Sequence, residues 1–397
     1  MRPLKLLHVT PYYEEAWGYG GIPRVASALC QALSSRGHRV CVTTSDARDG
    51  SARVAGGGRW SPWLATGSGG VQVHLFPNLS NRLAFRRQFF VPLGLRAFLR
   101  ESLGGFDLVH VHGHHHLLSV LATRAALRAG VPYVITPNGL VPRDEGQRLA
   151  KWAFDTALGG HVLRGAARVT AVTEAERAEL LSWGLAPERL RLLPNPLELE
   201  AFTTPGPPGA LRAAIGGGFR QVVLYLGTLI PQKGVDVLIR ALAALEPDVA
   251  LAVAGPDLGG GALARRAVAE LGLESRVFFL GRIEGSARAG LLADADLVAY
   301  PGRAESFGLV PLEALVCGTP VVVGDDSGCG ELIRAVGGGR LVPPGQVEAL
   351  SEALRDVLGA PERWRGEALQ AALRVRERFG PDAVAAQAEA IYAELVP

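Results

Sequence analysis

The stretch from Tyr300 to Ile333, with the apolar run that leads into it, constrains this chain more than any other. Leu297, Val298, Ala299 and Tyr300 form a short apolar run, and Pro301-Gly302 breaks it. Apolar residues at Leu309, Leu312, Ala314, Leu315 and Val316 then recur at helical spacing, and Gly318-Thr319-Pro320 stops them. Val321–Val323 reads as the next buried strand. Strand, loop, helix, turn and strand make one βαβ unit. Its ligand edge is the carboxyl end of the first strand, where open N–H groups of the following helix favour negative charge. Ser306, Phe307, Gly308 and Leu309 are expected to supply those groups, and Gly308 lets the backbone approach a phosphate closely.

Two carboxylates bracket this anion site, Glu305 and Glu313. On one continuous helix they would stand roughly 12 Å apart and about 80° around the axis. They would not share a proton, which argues against an acid/base dyad. One carboxylate per sugar ring, on either side of a diphosphate, fits the spacing of a nucleotide-sugar.

ESFGLVPLE, followed by CGTPVV and GCGELI, resembles the E-x7-E region of the family 4 retaining glycosyltransferases. The resemblance extends over nearly the whole chain. It implies an α/β protein of the GT-B class, two Rossmann-like domains facing an interdomain cleft. The expected divisions are residues 1–195, an acceptor-binding domain, residues 196–380, a nucleotide-sugar-binding domain, and residues 381–397, a terminal helix packed back on the first domain. It also implies a retaining, metal-independent transfer of a sugar from a nucleotide-sugar to a hydroxyl of a glycan, glycolipid or lipid-linked acceptor. No cofactor is expected, since the nucleotide-sugar is a substrate.

The resemblance carries over to particular residues. Gly20-Gly21 stands at a βα turn before the first helix and would lie near the donor diphosphate. This turn is no dinucleotide fingerprint, because Pro23 takes the place of the last glycine. His112 ends an apolar strand and would face the transferred sugar. Lys233, in GTLIPQKG, would contact the diphosphate. Thr228 departs from the family, which has Arg there; a hydroxyl replaces neither the charge nor the bidentate reach of a guanidinium. Arg282 and Arg303 are the candidate replacement cations. Glu305 would hold sugar hydroxyls, Glu313 the ribose, and Ser306, Phe307, Gly308 and Leu309 the phosphates. Two rivals remain: a nucleotide-sugar-binding protein without transfer, suggested by Thr228, and a nucleotide-sugar epimerase.

Composition narrows the field further. A chain of 397 residues exceeds what one core usually holds. Its 48% apolar and 20% charged residues are those of a globular protein, and a net charge of +3 gives no footprint for nucleic acid. The four cysteines form no C-x-x-C pair, so reduced thiols and a cytoplasmic setting are expected. MRPLKLLHVT is too short an apolar run for a signal peptide and reads as a first strand. No run of about twenty apolar residues spans a membrane. Arg82–Arg100 is different: a basic amphipathic segment, interrupted at Pro92, that reads equally as surface helices or as a peripheral contact with an anionic membrane face.

Other signals weigh less. His114-His115-His116 could suggest metal, but adjacent residues seldom converge on one ion and no acidic ligand lies nearby in sequence. Asp294-Ala295-Asp296 and Asp325-Asp326 resemble metal motifs by letter only. Residues 46–70 are rich in Gly, Ser and Trp without a period, and read as a surface excursion.

Overall fold

A computed structural model describes residues 2–16, 19–50, 52–54, 61–87, 89–139, 148–202, 209–283, 285 and 287–396. It divides into two compact units, Met1–Leu197 with Pro381–Pro397, and Glu198–Gly380.

The first unit runs β1 (Lys5–Val9), α1 (Ile22–Ser35), β2 (Arg39–Ser45), β3 (Trp63–Thr66), β4 (Gln72–Phe76), α2 (Asn81–Arg87), α3 (Leu95–Ser102) and β5 (Leu108–His112). It continues with α4 (Leu117–Ala129), β6 (Tyr133–Thr136), α5 (Arg148–Phe154), α6 (Gly160–Arg164), β7 (Arg168–Ala171), α7 (Glu174–Ser182) and β8 (Leu190–Leu192). The strands order as β3-β4-β2-β1-β5-β6-β7-β8. All pairs are parallel except β3–β4, so part of the expected surface excursion is an antiparallel edge strand. The apolar alternation of residues 63–66 is too brief to stand out without its partner.

The second unit comprises α8 (Ala210–Ala214), β9 (Gln221–Leu226), α9 (Val235–Leu242), β10 (Val249–Ala254), α10 (Gly261–Leu271), β11 (Val277–Gly281), α11 (Ala287–Asp294), β12 (Leu297–Tyr300), α12 (Leu309–Val316), β13 (Val321–Gly324), α13 (Gly328–Val336), β14 (Gly339–Val342), α14 (Val347–Gly359) and α15 (Pro361–Phe379). Its wholly parallel sheet orders as β11-β10-β9-β12-β13-β14. Counted within the unit this is 3-2-1-4-5-6, the Rossmann order, and it reverses between β9 and β12. Every residue of β9, β10, β12 and β13 is buried, as strands covered on both faces require.

The last helix, α16 (Pro381–Ala393), belongs to the first unit and packs on α1. Arg36 holds Glu389 through two hydrogen bonds of 2.8 and 2.7 Å, and His38 Nε2 lies 3.0 Å from the same carboxylate. Below them Tyr392 Oη lies 2.6 Å from His110 Nδ1, while His110 Nε2 meets Thr136 Oγ1 at 2.8 Å.

His110 is one of four buried histidines that burial keeps neutral. Burial, then neighbouring imidazoles, puts His8 and His110 well below the usual imidazole value; His112 is pushed down to about 3 and His116 to about 4. The unfolded chain therefore binds protons below about pH 6.5 that the fold refuses, so stability is complete above that pH and falls as pH drops toward the folded values. Each histidine contributes a slope of at most about 1.4 kcal/mol per pH unit, so unfolding free energy is expected to fall by on the order of 3–5 kcal/mol from pH 7.5 to 5.5. Urea titrations at the two pH values check this, and equal midpoints would contradict it.

Candidate active site

The reversal of strand order in the second unit sets the loops after β9 and β12 side by side at the carboxyl edge of the sheet, where doubly wound folds bind ligands. Tyr225, next to last in β9, and Tyr300, last in β12, stack with ring centroids 6.0 Å apart. Tyr225 donates to the Thr228 carbonyl at 2.9 Å and fixes the first loop. That loop turns through Pro231–Lys233 and delivers Lys233 just ahead of α9. The second loop lies against it: Arg303 N donates to the Gln232 carbonyl at 3.0 Å.

Lys233 Nζ and Glu305 Oε2 form an ion pair across these loops. Tyr300 donates to the same Glu305 oxygen at 3.1 Å, and Lys233 Nζ stands 5.1 Å from the Tyr300 ring centroid. Burial alone would lower the Lys233 pKa, but the Glu305 carboxylate outweighs it and the net shift is upward. Burial, with Glu305 next, raises Tyr300 well above the ordinary phenol value, so it remains a donor. Tyr300 is a member of this constellation that sequence reasoning missed; its place in an apolar strand disguised it.

Glu305 is fixed from the far side as well. Its N–H donates to Ser327 Oγ at 2.9 Å, its carbonyl accepts from Cys329 N at 2.9 Å, and Asp326 accepts from Ala304 N. Glu305 and Ser306 lie in the loop and α12 begins at Leu309, so Glu305 precedes the helix that carries Glu313. The open first turn exposes the amides of Gly308, Leu309 and Val310, while Pro311 has none to give. Gly308 sits at φ 81°, where a Cβ would also run into Cys329 Sγ. Phe307 is buried and packs edge-on against Phe379, with centroids 5.6 Å apart.

Glu313 is 3% exposed and pairs with Arg288 of α11, whose Nε donates at 2.9 Å. Arg282 follows β11, two strand positions from β9 and hence about 10 Å away along the sheet. Arg303, the other candidate replacement cation, has its backbone beside the Lys233 loop.

In the first unit the strand order reverses between β1 and β5. The loop after β1 carries Gly20, at φ 95°, and Gly21, whose carbonyl accepts from Arg24 N and Val25 N to open α1. His112 ends β5, is 1% exposed, and meets His8 Nδ1 through Nε2 at 3.0 Å. Its Nδ1 is buried without a hydrogen-bond partner among the described residues. His116 caps α4 by accepting from Ser119 N at 3.0 Å. Glu176 holds the 137–139 turn by accepting from Gly139 N at 2.6 Å and from Val172 N at 2.7 Å.

The aspartates of the letter-only motifs have structural partners. Asp294 accepts from Gly209 N and Leu211 N, Asp296 pairs with Arg212 at 2.8 Å, and Asp325 pairs with Arg334. Among the described residues no helix is long and apolar enough to cross a membrane. In the basic segment Arg82, Arg96 and Arg100 are exposed, as are Leu83 and Phe89; the side chains of Arg86 and Arg87 lie outside the described residues.

Two family models match the chain, Glycosyltransferase Family 4 over residues 19–201 and Glycosyl transferases group 1 over residues 218–370. The chain belongs to the family 4 glycosyltransferases. It is 34% identical over 285 residues to a D-inositol 3-phosphate glycosyltransferase of Mycolicibacterium vanbaalenii, covering 67% of this chain and 62% of that protein. The chain thus matches less than two thirds of the length of such relatives. Among solved structures, Anabaena HepE in complex with UDP and glucose superposes with a TM-score of 0.75 at 23% identity, over 99% of this chain and 100% of that one. Sucrose-phosphate synthase of Thermosynechococcus elongatus gives 0.74 at 22% identity, over 98% and 99%. These likenesses establish the GT-B fold.

Proposed function

We propose that this family 4 member transfers a hexose from a nucleotide-sugar to an acceptor hydroxyl with retention of configuration. The Lys233–Glu305 pair at the point where strand order reverses is the observation that carries the reading. A diphosphate arriving at this edge competes with Glu305 for the ammonium. It takes Lys233 and the amides of Gly308, Leu309 and Val310, and the displaced Glu305 turns to the sugar hydroxyls. Arg303 adds the charge that Thr228 lacks, and Glu313 accepts from the ribose. His112 stays neutral, so it offers its Nδ1 to a sugar hydroxyl as a hydrogen-bonding group and not as a cation.

The reaction asks for two things, charge on the leaving diphosphate and an acceptor oxygen near the anomeric carbon. The bond from the anomeric carbon to the phosphate oxygen breaks as the acceptor oxygen bonds on the same face. The acceptor proton passes to the departing phosphate oxygen. This side of the reaction requires no metal. The neighbour solved with UDP and glucose supports a sugar donor of this kind, with UDP the first nucleotide to test. The competing reading, donor binding without transfer, rests on Thr228.

Incubation with UDP-, GDP- and ADP-sugars and measurement of nucleotide release separates the two: release with one donor supports transfer, whereas saturable binding without release for all supports the competitor. Lys233→Ala and Glu305→Ala are each expected to lower turnover by at least about a hundredfold, of order 3 kcal/mol of transition-state stabilisation. Turnover near wild type in both would contradict the site. The exposed Arg82, Leu83, Phe89, Arg96 and Arg100 support a peripheral contact with an anionic membrane. Co-sedimentation with phosphatidylglycerol vesicles at low salt, lost when Arg82, Arg96 and Arg100 become Gln, is the expected result; no sedimentation of the wild type would refute it.

A further inference from the structure

The histidine run after β5 meets a carboxylate that the sequence hides. Asp155, directly after α5, brings Oδ1 to 2.9 Å from His114 Nε2 and 3.2 Å from His115 Nε2. One ligand atom from each of the three lies within 4.8 Å of the other two. The objection that no acidic ligand lies near the run holds along the chain and fails in space.

We propose that His114, His115 and Asp155 bind a divalent transition ion of the zinc class, with a fourth position open to water or a ligand. Two imidazoles and one carboxylate are a donor set suited to Zn²⁺, whose bonds to them run about 2.0–2.2 Å; tetrahedral angles then separate ligand atoms by roughly 3.3–3.5 Å. The observed 2.9 and 3.2 Å need only open by a few tenths of an ångström. The surroundings favour this. His114 is 1% exposed, while the His115 and Asp155 side chains, 12% and 11% exposed, leave an edge toward solvent. Phe154 packs edge-on against both imidazoles, at 6.0 and 5.5 Å between centroids, and walls the site with apolar surface. Gly159 keeps the flank of the carboxylate clear, since a Cβ there would lie 3.2 Å from Asp155 Oδ1 and collide with the Phe154 ring.

The other histidine cluster, His8, His110 and His112, offers no such set. His110 has both ring nitrogens engaged by Tyr392 and Thr136, and His8 and His112 are bonded to each other. The proposal is independent of the transferase reading, because it concerns side chains that the donor site does not use.

The full-length protein, freed of metal by chelation, is titrated with Co²⁺ and then Zn²⁺. Expected are the visible ligand-field bands of a four-coordinate nitrogen–oxygen site, saturating at about one equivalent and abolished by about one equivalent of Zn²⁺. His115→Ala and Asp155→Asn, checked for folding by circular dichroism, should each lose the bands. Bands that persist in both variants would place the ion elsewhere and overturn the proposal. Should the variants not fold, the wild type decides: a melting temperature unmoved by Zn²⁺, with no Co²⁺ bands, overturns it, and saturable bands with a raised melting temperature support it.

Discussion

Lys233 and Glu305 are far apart in sequence and adjacent in space for one reason: β9 and β12 neighbour each other where the strand order reverses. A doubly wound sheet sends the helices after two such strands to opposite faces and leaves a gap at their carboxyl ends. The loops that fill it here are tied from every side, by Tyr225 to the Thr228 carbonyl, by Arg303 N to Gln232, and by Ser327 and Cys329 to the Glu305 backbone. An ammonium and a carboxylate are thus held in place before any substrate arrives. In a partly buried site such preorganisation is worth more than the same charges in water.

The first unit repeats the topology with different chemistry. Its order reverses between β1 and β5, and the side chains meeting there are imidazoles. Burial holds them uncharged, so this edge offers hydrogen-bonding capacity without positive charge. A neutral hydroxyl-rich ligand suits that environment as the diphosphate suits the other.

Much of this was readable in the chain. Strands such as Gln221–Leu226 and Leu297–Tyr300, buried on both faces, appear as unbroken apolar runs, and glycine or proline marks their ends. A threonine directly before a helical run is a cap signal of the same kind, and the Thr173 side chain accepts from Glu176 N at the start of α7. What sequence could not give was partnership across strands. Tyr300 looked like core, the Arg288 partner of Glu313 was invisible, and the histidine run looked like residues without a carboxylate, because Glu305, Arg288 and Asp155 arrive from other elements. The start of α12 was legible for a local reason: the apolar helical spacing begins at Leu309, and Gly308 before it takes the positive φ that ends the loop.

The central claim is that a diphosphate replaces Glu305 at Lys233. A crystal of the protein soaked with UDP-sugar tests it most directly. Phosphate density within hydrogen-bond distance of Lys233 Nζ and the amides of Leu309 and Val310, with Glu305 swung onto the sugar, is the predicted result. An undisturbed Lys233–Glu305 pair with the nucleotide bound elsewhere would contradict it.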